Sequence, residues 1–286
     1  MLVGAKPVRM KLTSDTARTA ERRRALDEYA VANVLANDDF LCSHYNQCKS
    51  FHSGIFYEGQ LHHVGRFYDL LVDASPLRII VVGQEYGLGP HHVSSQARYD
   101  MIMRSGLECR FKAGAGYKER SPHMRGTTNV LRLLFGLSLT PDHDSEFLII
   151  GGERVHLFDA FSLVNYLLCS AVGNDGSKRG LATRTMMKNC QEHFREVVRI
   201  LEPTVIVIQG IRFWASIKGA FDSVTQRSDQ IHSVRLGLTN AIAAVFTHPS
   251  SHPPNNWGTN CKTPYLRGTV APAIAIIRAQ LLGGGA

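Results

Sequence analysis

The sequence has no long hydrophobic run. None of its 286 residues lies in a window of the roughly 18 consecutive apolar residues that a membrane-spanning helix needs. The N-terminal segment carries Lys6, Arg9 and Lys11 and lacks the apolar core of a secretory signal peptide. These two absences predict a cytoplasmic protein with no membrane partner.

Internal repeats and low-complexity segments are also lacking, and no change of composition marks a linker. A chain of this length can bury a substantial core. We therefore predict a basic N-terminal extension over residues 1–40 and one domain over residues 41–286, and we expect a monomer. The extension should contain a helix over residues 20–35 with Leu26, Ala30 and Val34 on one face, capped by Thr16 or Thr19.

Acidic residues are too few to balance the basic ones. Lys and Arg number 32 against 24 Asp and Glu, which gives a formal charge of +8. This excess favours a polyanionic partner such as nucleic acid, although an ordinary basic protein remains the alternative. Between residues 88 and 121, glycines alternate with basic residues in a segment that could grip phosphates, or that could be a solvated loop with a helix near residues 98–104.

Cysteine is sparse, with six residues in a chain that shows no export signal. Disulfide bonds are therefore not expected. The thiols are either separate buried residues or, in part, a metal or cluster site.

Two apolar segments end in polar turns that carry chemically useful groups. The β-branched run that follows Arg78, at residues 79–82, leads directly into Gly83-Gln84-Glu85-Tyr86-Gly87, and the apolar run at residues 241–246 leads into His248-Pro249-Ser250. Such uninterrupted runs are typical of parallel strands buried on both faces. Ligands bind just beyond the carboxyl ends of these strands, so we expect a carboxylate and an imidazole at one crevice.

Strands alternate with helices through most of the remaining chain. This alternation predicts an α/β fold whose parallel or mixed sheet carries helices on both faces. The further strands are predicted at residues 155–161 and 204–209, and the helices at residues 64–72, 127–135, 185–201, 211–220 and 270–281.

Four short motifs, taken in order, resemble those of the uracil-DNA glycosylase superfamily. They are the segment 83–87, the segment Asn165-Tyr-Leu-Leu-Cys169, Cys190 before a helix and a strand ending at Gly210, and His248-Pro249-Ser250. The resemblance implies a three-layer α/β/α fold with a central, mostly parallel sheet. It also implies a monofunctional DNA repair hydrolase that flips uracil out of DNA and hydrolyses its N-glycosidic bond, leaving an abasic site.

The resemblance also implies roles for individual side chains. Glu85 would activate water and support the sugar cation, His248 would stabilise the departing uracilate, and Asn165 would read the uracil edge. Tyr86 would block the 5-methyl group of thymine. Further base contacts are expected from Gly83, Gln84 and Ser250, and where the superfamily stacks a phenylalanine on the base, this chain offers His123, Met124 or Tyr86.

The partner implied is uracil-containing DNA, single- or double-stranded. The loop at residues 250–257 would press against the duplex, with His252, the prolines or Trp257 as the wedge. Phosphate contacts are predicted for Arg120, Arg125, Lys262 and Arg267.

A branch of this superfamily carries a structural 4Fe–4S cluster, and the resemblance implies Cys42, Cys48, Cys169 and Cys190 as its ligands. Five residues separate the first pair here, where the family has two. Zinc held by the same thiols is an alternative, as is a set of buried small side chains with no metal. The hydrolysis itself needs no cofactor.

Two other functions compete with excision. One is a member of the superfamily that binds uracil-DNA, or is trapped on it covalently, with poor turnover. The covalent type carries a histidine-bearing basic insert that Ser251-His-Pro-Pro-Asn lacks. The other is a non-catalytic nucleic-acid-binding module with a structural metal.

Overall fold

A computed structural model of the chain describes residues 11–37, 39–50, 54–86, 92–109, 120–139, 146–173, 180–257 and 262–282. The helices are α1 (Thr16–Asn33), α2 (Tyr45–Ser50), α3 (Ser95–Glu108), α4 (Pro122–Leu134), α5 (Arg184–Asn189), α6 (Gln191–Leu201), α7 (Ile211–Ile217) and α8 (Ala271–Leu282). The strands are β1 (Leu12–Ser14), β2 (Leu35–Ala36), β3 (Asp39–Phe40), β4 (Ile55–Tyr57), β5 (His63–Val64), β6 (Leu70–Val72), β7 (Ser75–Leu77), β8 (Ile79–Gly83), β9 (Phe147–Ile150), β10 (Glu153–His156), β11 (Ser162–Asn165), β12 (Ser170–Val172), β13 (Val205–Gln209), β14 (Ser223–Gln226), β15 (Ile231–Leu236) and β16 (Thr239–Phe246).

The fold is α/β, built on a seven-stranded mixed sheet of order β14-β15-β16-β13-β8-β11-β5. Its four central strands, β16, β13, β8 and β11, are mutually parallel. The strands at both edges run antiparallel to their neighbours. The sequence-based expectation of a mostly parallel central sheet is therefore confirmed for the four strands that carry the predicted motifs.

The central strand β8 separates two apolar clusters because successive side chains point to opposite faces of a sheet. Ile79 and Val81 belong to the first cluster, which includes residues of α3, α4 and α8. Ile80 and Val82 belong to the second, which includes residues of α1, α6 and α7. All four side chains are fully buried. Helices thus cover both faces of the sheet.

The predicted helix near the N-terminus packs onto this domain. As expected, Leu26, Ala30 and Val34 are buried. The cap is Asp15, whose carboxylate accepts the Arg18 N–H at 2.8 Å, and not Thr16 or Thr19.

A buried arginine also holds α1 in place. The Arg22 side chain pairs with Asp69 at 3.0 Å and with Glu202 at 2.7 Å. Breaking such a buried pair typically costs about 3 to 5 kcal/mol. Strand β1 adds a backbone connection by pairing with β6.

The sequence-based assignments at residues 64–72 and 155–161 were wrong. Residues 64–72 do not form a helix: β5 ends at Val64, and β6 pairs with β7. Gly65 approaches the Asp159 backbone so closely that any side chain would overlap it. Residues 155–161 are not one strand either, because His156 accepts the Phe158 N–H at 3.0 Å and caps a 3-10 turn before the core strand β11.

No helix within the described ranges combines the length and the apolar character that crossing a bilayer requires.

Candidate active site at the carboxyl ends of the central strands

The carboxyl ends of the four parallel strands lie along one edge of the sheet. Asn165, the last residue of β11, is level with Gly83, the last residue of β8. On the other side of β8, Gln209 ends β13 level with Phe246 of β16. His248 follows two residues later. The motif residues predicted from the sequence therefore come from neighbouring strands.

Two backbone hydrogen bonds join the turn after β8 to the chain after β11. The Tyr166 N–H donates to the Gly83 carbonyl at 2.9 Å, and the Leu167 N–H donates to the Gln84 carbonyl at 2.8 Å. The Glu85 segment and the Asn165 segment are thereby held side by side.

Asn165 is buried, with 4 % of its surface exposed. Its backbone N–H donates to His62 Nδ1 at 3.3 Å. Burial lowers the pKa of His62 to about 3, so this ring is neutral and can accept through that nitrogen. The Asn165 side-chain nitrogen Nδ2 is buried and has no hydrogen-bond partner among the described residues. A buried amide donor without a partner is costly, and a ligand oxygen would satisfy it.

Glu85 is partly buried in the turn after β8. Gln84 Nε2 donates to its Oε1 at 3.3 Å, whereas Oε2 is buried without a partner among the described residues. A side chain on Gly180 would overlap Oε1, so the carboxylate occupies space that only glycine leaves open. Burial raises the pKa of Glu85 to about 7, and its hydrogen bonds to the Ala171 backbone and to Gln84 limit the rise.

The proton on His248 can be assigned from its neighbours. The Ser250 backbone N–H donates to Nδ1 at 3.2 Å, and Ser250 Oγ lies 2.7 Å from the same nitrogen. Because a backbone N–H can only donate, Nδ1 is the acceptor and the neutral ring carries its proton on Nε2. The surrounding protein lowers the pKa of His248 by partial desolvation, although the side chain remains exposed to solvent.

His123 bridges the two motif ends. Its ring lies parallel to that of His248, with ring centroids 6.2 Å apart and an interplanar angle of 13°. It also covers Gly83, where an added Cβ would lie 2.9 Å from His123 Cε1. Burial lowers the pKa of His123 to about 3. Glu85 and His248 share no hydrogen bond within the described part of the chain, but Gly83 and His123 connect their segments.

Gln209 fixes the orientation of His123. With its amide oriented to satisfy both neighbours, its nitrogen donates to His123 Nδ1 at 2.8 Å and its oxygen accepts the Thr127 N–H at 3.0 Å. Gln209 was not predicted from the sequence as a site residue. The signal was present, since a polar residue ends an otherwise apolar strand beside a glycine.

The loop that carries His248 rests on α4 at a glycine. An added Cβ on Gly126 would lie 2.5 Å from Pro249 Cγ and 3.1 Å from Trp257 Cε3. Trp257 is 1 % exposed, and its Nε1–H donates to the Thr247 carbonyl at 3.0 Å. Trp257 therefore supports the loop from inside and is not available as a wedge.

The other predicted base contacts lie in different environments. Met124 is buried in the first apolar cluster, so its side chain is not exposed for contact with a base. Tyr86 is partly exposed, and its hydroxyl donates to Met101 Sδ at 3.6 Å. Ser250 is exposed beside His248. Of the three candidates for stacking on a base, His123 and Tyr86 remain.

The residues predicted to contact DNA also differ in their exposure to solvent. Arg120 is buried and binds both oxygens of Glu146, at 2.7 and 2.8 Å, so it is not available to DNA. Arg125 is partly exposed, and one of its N–H groups donates to the Arg120 carbonyl at 2.8 Å. His252, Lys262 and Arg267 are exposed.

The four cysteines predicted as ligands line one small apolar cavity, together with Met186, Leu168 and Asn189. Asn189 Nδ2 donates to Cys48 Sγ at 3.3 Å, and Cys42 Sγ lies 3.5 Å from His193 Nε2. Burial raises the pKa of each thiol, to about 12 for Cys190.

Among the described residues, no three His, Cys, Asp or Glu side chains converge as the ligands of a single metal ion must. An iron–sulfur cluster places a different requirement on the protein, because its thiolates surround several iron atoms. The four thiols line one apolar cavity.

No protein-family model matches this sequence, and no curated protein matches it significantly.

Proposed function

We propose that this protein is a uracil-DNA glycosylase of the three-layer α/β/α type that acts in DNA repair. One observation carries the proposal. A buried Asn165 amide with an unpartnered nitrogen and a His248 ring with its proton on Nε2 lie at the same edge of the sheet, on either side of the turn that leads to Glu85. These groups match what cleavage of a base–sugar bond requires.

Hydrolysis of that bond leaves positive charge on the sugar and negative charge on the base. Glu85, when ionised, would orient or deprotonate the attacking water and stabilise the sugar cation. Its partly desolvated position strengthens this electrostatic effect, because fewer water molecules screen the carboxylate. A pKa of about 7 keeps it a base of useful strength near neutral pH.

The negative charge would be stabilised at the opposite side of the base. His248 Nε2–H donates a hydrogen bond to O2 of the departing uracilate, while Ser250 fixes Nδ1 as an acceptor. A neutral donor serves here because it does not have to lose a proton during the reaction. The lowered pKa of His248 maintains this neutral form.

Base recognition would depend on Asn165. Its Nδ2 donates to O4 of uracil and its side-chain oxygen accepts N3–H, whereas cytosine presents the opposite pattern at those two atoms. A mismatch leaves buried polar groups unpaired, which discriminates strongly. The neutral His123 ring, held by Gln209, provides a face for the base to stack on.

The target base must leave the duplex before it can enter this site. His252, Pro253 and Pro254 are exposed next to the His248 segment and would press into the base stack. Arg125, Lys262 and Arg267 would contact phosphates.

A structural 4Fe–4S cluster would be held by Cys42, Cys48, Cys169 and Cys190, whose side chains share one cavity. Such a cluster would cross-link α2, the chain after β11 and the start of α6. It would take no part in the hydrolysis. Zinc held by the same thiols is the alternative, and it would require the four side chains to move together, because they do not converge on one point here.

Single-turnover excision tests this function. A duplex with one uracil is incubated with excess protein and then treated with alkali, which cleaves the strand at an abasic site. Glu85→Gln and His248→Asn should each slow excision by roughly 10²- to 10⁴-fold. Glu28→Gln, on the exposed face of α1, is the matched control and should excise normally. Full excision by both site variants would remove the proposed roles.

The same reactions, run on denaturing gels without alkali, test the rival functions. A shifted protein–DNA band with little cleavage would favour a protein trapped on uracil-DNA. Binding without cleavage or adduct, unaffected by either site variant, would favour a non-catalytic binding module.

The pH profile gives a second test. Since Glu85 acts in its ionised form and its pKa is about 7, the excision rate should rise with pH through about 7 and then level off. The residual activity of Glu85→Gln should lack this rise. A wild-type rate that is flat between about pH 6 and pH 8 would exclude titration of Glu85 as the cause.

A further inference from the structure

Arg98 is a buried cation with no acidic partner in the described part of the chain. It lies in the first turns of α3 and is 6 % exposed. Its guanidinium carbon is 4.4 Å from the centre of the Tyr86 ring, and its Nε has no hydrogen-bond partner among the described residues.

This environment differs from that of other buried arginines in the molecule. Arg120 binds Glu146, and Arg22 binds Asp69 and Glu202. Arginine is rarely buried without such a partner, because removing its charge from water is costly. Burial lowers the pKa of Arg98 to about 10, so the side chain still carries its charge at neutral pH.

The contact of Arg98 is the aromatic face of Tyr86. Arginine is attracted to a tyrosine ring by about 0.5 to 2 kcal/mol, with the larger values at sites shielded from water. Met101, one helical turn further along α3, receives the Tyr86 hydroxyl at 3.6 Å. Residues three apart lie on the same face of a helix, so α3 contacts Tyr86 at two points.

We propose that Arg98 is a positioning residue that fixes the Tyr86 ring against the base pocket and so sets the discrimination between uracil and its 5-methylated counterpart, thymine. This inference rests on the proposed function. The carboxyl edge of the sheet lies directly before Tyr86, since β8 ends at Gly83. A ring in fixed position excludes a methyl group, whereas a mobile ring can move aside for it.

Binding of non-cleavable analogues tests the proposal without depending on turnover. Two otherwise thymine-free duplexes each carry one 2′-fluoroarabino nucleotide, with uracil in one and 5-methyluracil in the other. The fluorine disfavours the sugar cation, so the base stays attached. Wild type should bind the uracil duplex more tightly. Arg98→Met should reduce that preference by roughly 2- to 30-fold, the factor that corresponds to one cation–π contact.

A matched control is available on the same helix. Arg104 is 70 % exposed and pairs with Glu108 at 3.8 Å. Arg104→Met makes the same change of charge and length, and should keep the wild-type preference. Arg98→Lys retains a cation and should restore part of the preference. Met101→Ala removes the other contact to Tyr86 and should lower the preference in the same direction, which keeps the test open if Arg98→Met does not fold.

A double-mutant cycle separates positioning from direct contact with DNA. Tyr86→Ala should itself reduce the preference, and adding Arg98→Met should then change it no further, because the two residues act through one ring. An unchanged preference in Arg98→Met, or an equal further loss in the Tyr86→Ala background, would overturn the inference while leaving uracil excision intact. A wild-type protein that neither prefers the uracil duplex nor excises uracil would remove the proposed function and this inference together.

Discussion

Glu85 shows how one residue can be unfavourable for the fold and useful for the chemistry. One of its oxygens is buried without a partner in the described structure, and its pKa is raised to about 7 from an ordinary value of 4.5. A raised carboxyl pKa means that folding favours the protonated form. The ionised form, which the reaction needs, therefore costs stability.

This cost predicts a pH-dependent effect of Glu85→Gln on stability. Below about pH 4.5, both the folded and the unfolded chain hold the proton and the variant should match wild type. Between about pH 4.5 and pH 7, the unfolded wild type ionises first, so wild type loses stability as pH rises. Above about pH 7 the loss is complete, and the variant should be more stable by roughly 3 kcal/mol.

Urea unfolding at about pH 4 and about pH 8 measures this difference. Glu28→Gln, on the exposed face of α1, should leave stability unchanged at both values. A Glu85→Gln protein that is less stable than wild type at the higher pH would contradict the raised pKa.

The sequence identified Glu85 as a candidate but could not predict its pKa. The candidate came from a polar turn after a buried strand. The pKa depends on burial beneath β12 and Gly180, which are far away in sequence. The same holds for Asn165: the sequence predicted its place at the end of a strand, but it did not predict the hydrogen bond to His62.

Among the secondary-structure elements, the central strands were predicted best. Long apolar runs identify β8, β13 and β16 because buried strands need apolar side chains on both faces. Short strands have no such signal, so β5 and β6 were mistaken for a helix. The helix predicted at residues 185–201 is two helices that meet at Cys190, which local helix propensity does not reveal.

The packing of α4 against the His248 loop predicts an effect of Gly126→Ala. The new Cβ would lie 2.5 Å from Pro249 Cγ and 3.1 Å from the side-chain amide of Gln209, so the loop must move. Alanine favours the helix by about 1 kcal/mol, which offsets part of the overpacking cost of roughly 1 to 3 kcal/mol. Stability should therefore fall by at most about 2 kcal/mol, while displacement of His248 should slow excision by roughly 10- to 100-fold.

Single-turnover excision and urea unfolding together test this prediction. Gly268→Ala is the control, because a Cβ there meets nothing within 4 Å and the residue is also in a helical turn. Wild-type excision by Gly126→Ala would show that the contact does not position His248.

At the scale of the whole molecule, one cavity joins regions that are remote in sequence. Cys42 lies before α2 and Cys48 lies within it. Cys169 follows β11, and Cys190 lies where α5 meets α6. The spacing of these cysteines in the sequence did not decide whether they bind a cluster, because the first pair departs from the family pattern. The fold brings all four to one place, which spacing could not predict.

This arrangement predicts a bound cluster that stabilises the fold. Protein purified without oxygen should show sulfur-to-iron charge-transfer absorption in the visible range and contain iron and acid-labile sulfide. Cys190→Ser should abolish that absorption and lower the unfolding temperature, because the ligand set would be incomplete. Cys109→Ser, at a buried thiol outside the cavity, should keep the absorption. Stoichiometric zinc without visible absorption would assign the four thiols to zinc, and the absence of both metals would leave them as buried side chains that pack the cavity.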